Sequence, residues 1–279
     1  MFNFTEFLKT LFKSIFAGIT IGFAGFIYTG VKWCASYITS YYKLTDKYDL
    51  TELGNIIGSA LFSIGLFIVC SLELSLLTGK FGLMFESYHE YDYYLGLILM
   101  LLFNLPSAYG FGYLINYLIN LSHSDKSNLY VLLATNMGKN KSTLNSMNDY
   151  IKLFVQSMFC GVCVHIAVKC FKIFSSMGMK SSGLILLVWF VFMFVYSGFQ
   201  HCVANCFYFG QANMFNVKAI ISACISVVGN WLGTLPISIL TKRFNKLNSS
   251  FSPSFSPSLS SSPISPSSTS SESLNNEEI

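Results

Sequence analysis

Charge is what this sequence has least of. Only 11% of its 279 residues are Asp, Glu, Lys or Arg, against about a quarter in a soluble domain. Arginine is almost missing: Arg243 stands alone beside 16 lysines. Nucleic-acid interfaces cluster basic residues and favour arginine, so no nucleic-acid partner is expected. The loops lack cysteine. Cys34, Cys70, Cys160, Cys163, Cys170, Cys202, Cys206 and Cys224 all lie within or beside apolar stretches, which argues against a disulfide framework. Cys160 and Cys163 have metal-ligand spacing, but no second pair follows, and buried packing accounts for them. A zinc site at His201, Cys202 and Cys206 would need distant ligands, because successive side chains on a helix point in different directions. His-Glu-x-x-His, Walker and Gly-x-Ser-x-Gly motifs are absent, and the carboxylates are not clustered. No enzyme, metal or cofactor is expected.

What fills the chain is apolar. Hydrophobic residues make up 53%, with 27 Phe and 16 Tyr, and the mean hydropathy is +0.54. A bilayer core needs about 20 apolar residues per helix. Six spans are expected, at residues 11–31, 55–78, 93–121, 150–174, 181–217 and 219–241. Glu6, Lys9 and Lys13 interrupt the first apolar residues, so no cleavable signal is expected. The fifth span is too long for one straight helix and contains the polar insert Ser197-Gly198-Phe199-Gln200-His201. Irregular backbone at membrane depth persists only where protein or a water-filled cavity satisfies it. The second span has a weaker interruption, Ser71 to Gly79. Paired interruptions in two halves point to a transport site. Asn104 with Ser107 and Asn230 with Gly233 repeat one spacing in spans three and six. An all-α membrane protein of six helices in a 3+3 inverted repeat, with helices 2 and 5 broken, is the expectation.

Lys9, Lys13, Lys242, Arg243 and Lys246 favour cytoplasmic termini at the plasma membrane, and Lys169, Lys172 and Lys180 agree. Lys126, Lys139 and Lys141 fall on the opposite side and oppose that orientation. Residues 1–246 form the expected transport domain. Residues 247–279, which hold four of the six prolines among repeated serines, form an expected disordered cytosolic tail.

His201 is the sharpest candidate, a titratable group at the centre of an uncharged stretch. Intramembrane ionisable residues face a pathway or a partner, and a neutral imidazole donates a hydrogen bond to an anion. The plainer reading is a satisfied core histidine; Gly198, Gln200 and Asn205 nearby weigh against it. His165 is read as packing or helix–helix hydrogen bonding. Glu73 is open between a relay residue and a helix-end group. Thr78 is open between an anion contact and a cap. Asn104 and Asn230 are read as amides that bond neighbouring helices.

The run from Ser197 to Asn205 resembles the fifth-helix signature of the formate–nitrite transporter family, Ser-Gly-Phe-Glu-His with Ala-Asn three residues on. Leu76-Leu77-Thr78-Gly79, Phe103-Asn104, Gly229-Asn230 and Lys13 to Gly18 are similar to its other motifs, in order, from Lys13 to Thr241. The resemblance implies an aquaporin-like fold, a homopentamer in the lipid bilayer, and a pore in each protomer. It implies transport of formate, nitrite, lactate or hydrosulfide, often with a proton. It makes His201 the central histidine and Thr78 its partner across the substrate, and it sets Leu76, Leu77 and Phe199 at apolar constrictions. Gln200 stands where the family has Glu, Ser75 where an acid is common, and Gly161 where Asn is usual. Two alternatives stay open: a non-transporting sensor or scaffold working through its tail, and a neutral small-solute channel, against which the absence of Asn-Pro-Ala repeats counts.

Overall fold

A computed structural model describes residues 4–42, 50–86, 91–121 and 125–251. The described chain is helical throughout: α1 (Phe4–Tyr41), α2 (Thr51–Ser71), α3 (Leu77–Lys80), α4 (Leu83–Glu86), α5 (Tyr91–Asn120), α6 (Asp125–Lys141), α7 (Met147–Ser176), α8 (Lys180–Tyr196), α9 (Cys202–Gln211) and α10 (Val217–Phe251). Most of the expected tail lies outside the described residues. Its boundary at 246/247 falls inside α10, whose backbone stays helical to Phe251. His89 and His123 also lie outside the described residues.

Among the described residues, α1, α2, α5, α7 and α10 are long and apolar enough to cross a membrane. The fifth expected span is divided instead between α8, of 17 residues, and α9, of 10, and the second ends its long helix at Ser71. α1 is longer than the span read from its sequence, with 38 residues, or about 57 Å at 1.5 Å per residue. Its first turns, bearing Glu6 and Lys9, therefore project past a 30 Å apolar core.

Small residues let these helices approach closely, which is how association proceeds where lipid supplies no hydrophobic drive. Gly54, Gly58 and Gly65 share one face of α2; a Cβ there would fall 3.3, 3.2 and 3.1 Å from α1 carbonyls. α5 packs on α1 and on α9, and α7 packs on α8 and α10. At the α5–α9 crossing, a Cβ on Gly112 would strike the Phe207 carbonyl, and one on Gly210 the Tyr109 carbonyl. Every residue of α9 is buried, so this short helix forms the centre of the fold.

α6 departs from the sequence reading, which left residues 122–149 as a loop. Its near-neutral hydropathy hides a stripe at Tyr130, Ala134, Met137 and Lys141, spaced to share one face. Tyr130 and Ala134 are buried, and the Gln211 amide donates to the Tyr130 hydroxyl. α6 is thereby docked on α9 and α1. Beyond it, Ser146 and Asp149 form a capping box that starts α7.

Candidate functional site

Four helices, α2, α7, α8 and α9, stop in the same way, and the stops after α2 and α8 bound the site. α2 closes with Glu73 at φ 50°, and α8 with Gly198 at φ 72°. The Leu74 N–H donates to the Val69 carbonyl at 2.9 Å, and Phe199 N–H to the Phe194 carbonyl at 3.0 Å. Glu73 N–H returns to Cys70 and Gly198 N–H to Val195. Both are Schellman endings, which need a left-handed residue just past the helix. Glycine fills that place without strain in one; Glu73 fills it at the cost of its Cβ in the other. Glu73 is therefore a helix-terminating residue, and its side chain is exposed.

After each turn the chain re-enters a helix through an extended residue, Leu76 (φ −93°, ψ 124°) before α3 and His201 (φ −97°, ψ 117°) before α9. A buried amide holds each restart. Asn104 of α5 accepts from the Leu77 N–H at 2.7 Å and donates to the Ser75 and Ser14 carbonyls at 3.0 and 2.8 Å. Asn230 of α10 accepts from the Cys202 N–H at 2.9 Å and donates to the Gln200 and Ser157 carbonyls, both at 2.8 Å. Gly18 and Gly161 lie against the Asn104 and Asn230 carbonyls, where a Cβ would collide. Each asparagine replaces the hydrogen bonds that a continuous helix would have made, so the backbone breaks without leaving bare polar groups.

His201 and Thr78 meet between the two restarts. Thr78 Oγ1 is 3.0 Å from His201 Nε2, and both residues are buried. The Ala204 N–H donates to His201 Nδ1 at 3.2 Å, so the imidazole caps α9. Nδ1 must carry a lone pair to accept that bond. In the neutral ring the proton then sits on Nε2, aimed at Thr78. Phe194 stacks on the imidazole with centroids 5.8 Å apart, and Phe62 meets Phe194 edge-on.

Gln200 turns away from this pair. Its Nε2 donates to Gln156 Oε1 at 3.0 Å and to the Gly198 carbonyl at 3.3 Å. Asn205 Nδ2 donates to Gln200 Oε1 at 3.0 Å and to Ser226 Oγ at 3.3 Å. The network is built wholly from neutral groups. Asn205 Oδ1 is buried and accepts no hydrogen bond from the protein. Lys141, at the end of α6, donates to the Gly198 and Phe199 carbonyls at 3.2 and 3.3 Å. Burial lowers its ammonium to about 8, with Lys32 adding to the effect, so at neutral pH it keeps its proton and latches the turn. Lys141→Met is expected to lower stability by about 2 kcal/mol, the worth of a charge-assisted bond. Hydrogen–deuterium exchange of the 197–201 segment should quicken about thirtyfold; an unchanged exchange rate would show that the latch is idle.

One cavity reaches His201, and a second reaches residues close to Thr78. One, of about 160 Å³, is lined by His201, Asn205, Phe194, Phe199, Lys32 and Lys141 among others. The other, of about 610 Å³, reaches Gly79, which follows Thr78, and Leu76, two residues before it, and is lined by Lys9, Lys13, Lys80 and Lys172. Leu76 and Phe199 thus face cavities. Leu77 does not: it packs with Phe81, Leu97 and Met100 between α3 and α5. Gln200 lines a third recess of about 420 Å³ with Gln156 and Lys152. His165 is buried beside Ser238 and Gly82, away from all three. Among the described residues no group of His, Cys, Asp and Glu is arranged to hold a metal. Sequence reasoning missed Phe62, Phe194 and Lys141. Only Lys141 left a signal, as the one charged residue on the inner stripe of α6.

The family model described as formate/nitrite transporter matches residues 3–246. No curated protein matches the chain by sequence. Among solved structures, a pentameric formate channel with formate bound superposes with a TM-score of 0.67 at 20% identity, covering 86% of this chain and 97% of its own. An ion channel of the FNT family superposes at 0.60 with 17% identity, covering 88% of this chain and 91% of its own. At such identities the likeness speaks for the fold alone.

Proposed function

The chain belongs to the formate/nitrite transporter family, and from that premise we propose that it carries small monovalent weak-acid anions, of the formate, nitrite and lactate class, through a pore passing between Thr78 and His201. The observation that carries this reading is the hydrogen-bonded Thr78–His201 pair, with one lysine-lined cavity reaching His201 and another reaching Leu76 and Gly79 beside Thr78. The breaks after α2 and α8 then interrupt the second and fifth of six membrane crossings, in an aquaporin-like 3+3 inverted repeat. The matched extended restarts and the matched Asn104 and Asn230 braces support that symmetry. Assembly as a homopentamer accords with the pentameric formate channel of similar fold. Both termini on the cytoplasmic side of the plasma membrane complete the proposed arrangement.

The mechanism follows from desolvation. An anion moving as an ion past Leu76 and Phe199 would lose water with nothing comparable in return. Lysines at both mouths raise the local anion concentration. A proton joining the anion before the apolar passage removes most of the cost, and the neutral acid crosses. His201 serves as a neutral donor through Nε2–H. Protonating Nδ1 would set two donors face to face at the Ala204 N–H, so the cap opposes a charged ring and the proton comes from water. Asn205 Oδ1, an acceptor without a protein donor, faces the same cavity and suits the O–H of the undissociated acid. The neutral amides at Gln200 and Gln156 brace the turn without offering a proton route.

Counterflow into proteoliposomes tests the substrate class. Labelled formate, nitrite and lactate are expected to exchange at least tenfold faster than glycerol. Glycerol passing as fast as formate would favour a neutral-solute channel.

A further inference from the structure

The larger cavity is built for more charge than a single carboxylate carries. Four lysines from three elements line it: Lys9 and Lys13 of α1, Lys80 of α3 and Lys172 of α7. Its acids are Glu6, which stands 3.8 Å from Lys9, and Glu73, held in the α2 turn. Lys80 lies within the electrostatic reach of Lys172 and Lys13 and, with the opposite sign, of the Glu73 carboxylate. Three ammonium groups that repel one another are thus gathered by separate helices in one recess. Ser175 Oγ, buried on the wall and without a hydrogen-bond partner, adds a hydroxyl. A formate ion, with three heavy atoms, can bond one or two such lysines at 2.7–2.9 Å. The recess, at about 610 Å³, is almost four times the volume of the cavity on the other side of Thr78 and His201, about 160 Å³. Lysine is an established point-charge binder of phosphate, and a multivalent phosphate would quench the mutual repulsion.

We propose that the cavity bounded by Lys13, Lys80, Lys172 and Ser175 is a binding site for a soluble multivalent phosphate anion, which plugs the pore mouth instead of crossing it. Such an ion keeps charge after gaining one proton, so the apolar step at Leu76 stays closed to it. The plugging rests on the pore reading above; the binding does not.

Cys70 lines the same cavity and is partly accessible, so its alkylation reports occupancy without any transport. The full chain in detergent is treated with N-ethylmaleimide at low ionic strength, with and without inorganic pyrophosphate, and Cys70 labelling is followed by mass spectrometry. Pyrophosphate is expected to slow Cys70 labelling about tenfold in a saturable way and to leave exposed Cys34 unaffected. Protection should vanish in Lys80→Gln/Lys172→Gln and persist in Lys80→Arg/Lys172→Arg, which keeps the charge. Absence of protection, or equal protection in the Gln pair, would overturn the site. Protection by phosphatidic acid micelles but not by pyrophosphate would overturn the soluble ligand in favour of a lipid headgroup. In proteoliposomes, pyrophosphate on the side of the termini should inhibit formate uptake with the same lysine dependence. If uptake is never seen while Cys70 protection holds, the pore reading fails and the site stands.

Discussion

Asn230→Leu is expected to abolish recovery of a monodisperse, folded protein, and Asn104→Leu to do the same. Leucine keeps the branching of asparagine but is bulkier and makes none of its three hydrogen bonds. Removing Asn230 strands the Cys202 N–H and the Gln200 carbonyl, neither of which has a helix partner at the break. The Ser157 carbonyl is less affected, because it also belongs to the α7 ladder. Removing Asn104 strands the Leu77 N–H and the Ser75 carbonyl in the same way. Each buried unsatisfied group costs about 1–3 kcal/mol, so each substitution removes about 3 kcal/mol or more from a total of about 5–15. Gel filtration and thermal unfolding in detergent check this. Asn120→Leu, at an exposed helix end, is expected to change stability by less than about 0.5 kcal/mol. If Asn230→Leu unfolds no earlier than Asn120→Leu, the breaks are held by something other than these amides.

His201→Phe is expected to reduce formate uptake by about 100-fold or more while the protein still folds. Phenylalanine retains the ring and its stacking on Phe194, so packing survives. It loses the Nε2–H that points to Thr78 and the Nδ1 that caps the Ala204 N–H. A passing acid or anion then loses the Nε2–H donor and keeps only the Thr78 hydroxyl, and a lost hydrogen bond to a charged group is worth about 1.5–3 kcal/mol. Loss of the cap costs about a further 1 kcal/mol in α9. Thr78→Val removes only the hydroxyl and should cost less, about tenfold. Equal uptake by wild type and His201→Phe would remove His201 from the pathway.

The long apolar helices and the buried histidine at the break before α9 were readable because each rests on a local pattern: hydropathy over about 20 residues, or one titratable residue in an uncharged run. α6 was not readable that way. It is not apolar overall, and only the spacing of Tyr130, Ala134, Met137 and Lys141 marks it, so Lys141 was counted as a loop charge when it is bonded to the Gly198 and Phe199 carbonyls. Glu73 drew attention as the lone acid of the second span. Its φ of 50° makes it the end of a helix, a place sequence usually marks with glycine. Leu76 and Leu77 are adjacent, so a one-residue turn of the short α3 decides which faces the cavity, and no periodicity in four residues can reveal it. Gln200 was legible as a neutral replacement for Glu, but its partner Gln156 lies on another helix and left no sign.

Passage of a weak acid in its neutral form past a neutral His201 is the step on which the proposed transport depends. It is tested most directly by initial uptake of labelled formate into proteoliposomes of the purified full chain, at constant total formate and pH 5.5, 6.5 and 7.5, with empty liposomes subtracted. The account predicts uptake that rises about tenfold for each unit the pH falls, following the undissociated fraction. Uptake that is flat with pH, or no greater than in empty liposomes, would contradict it.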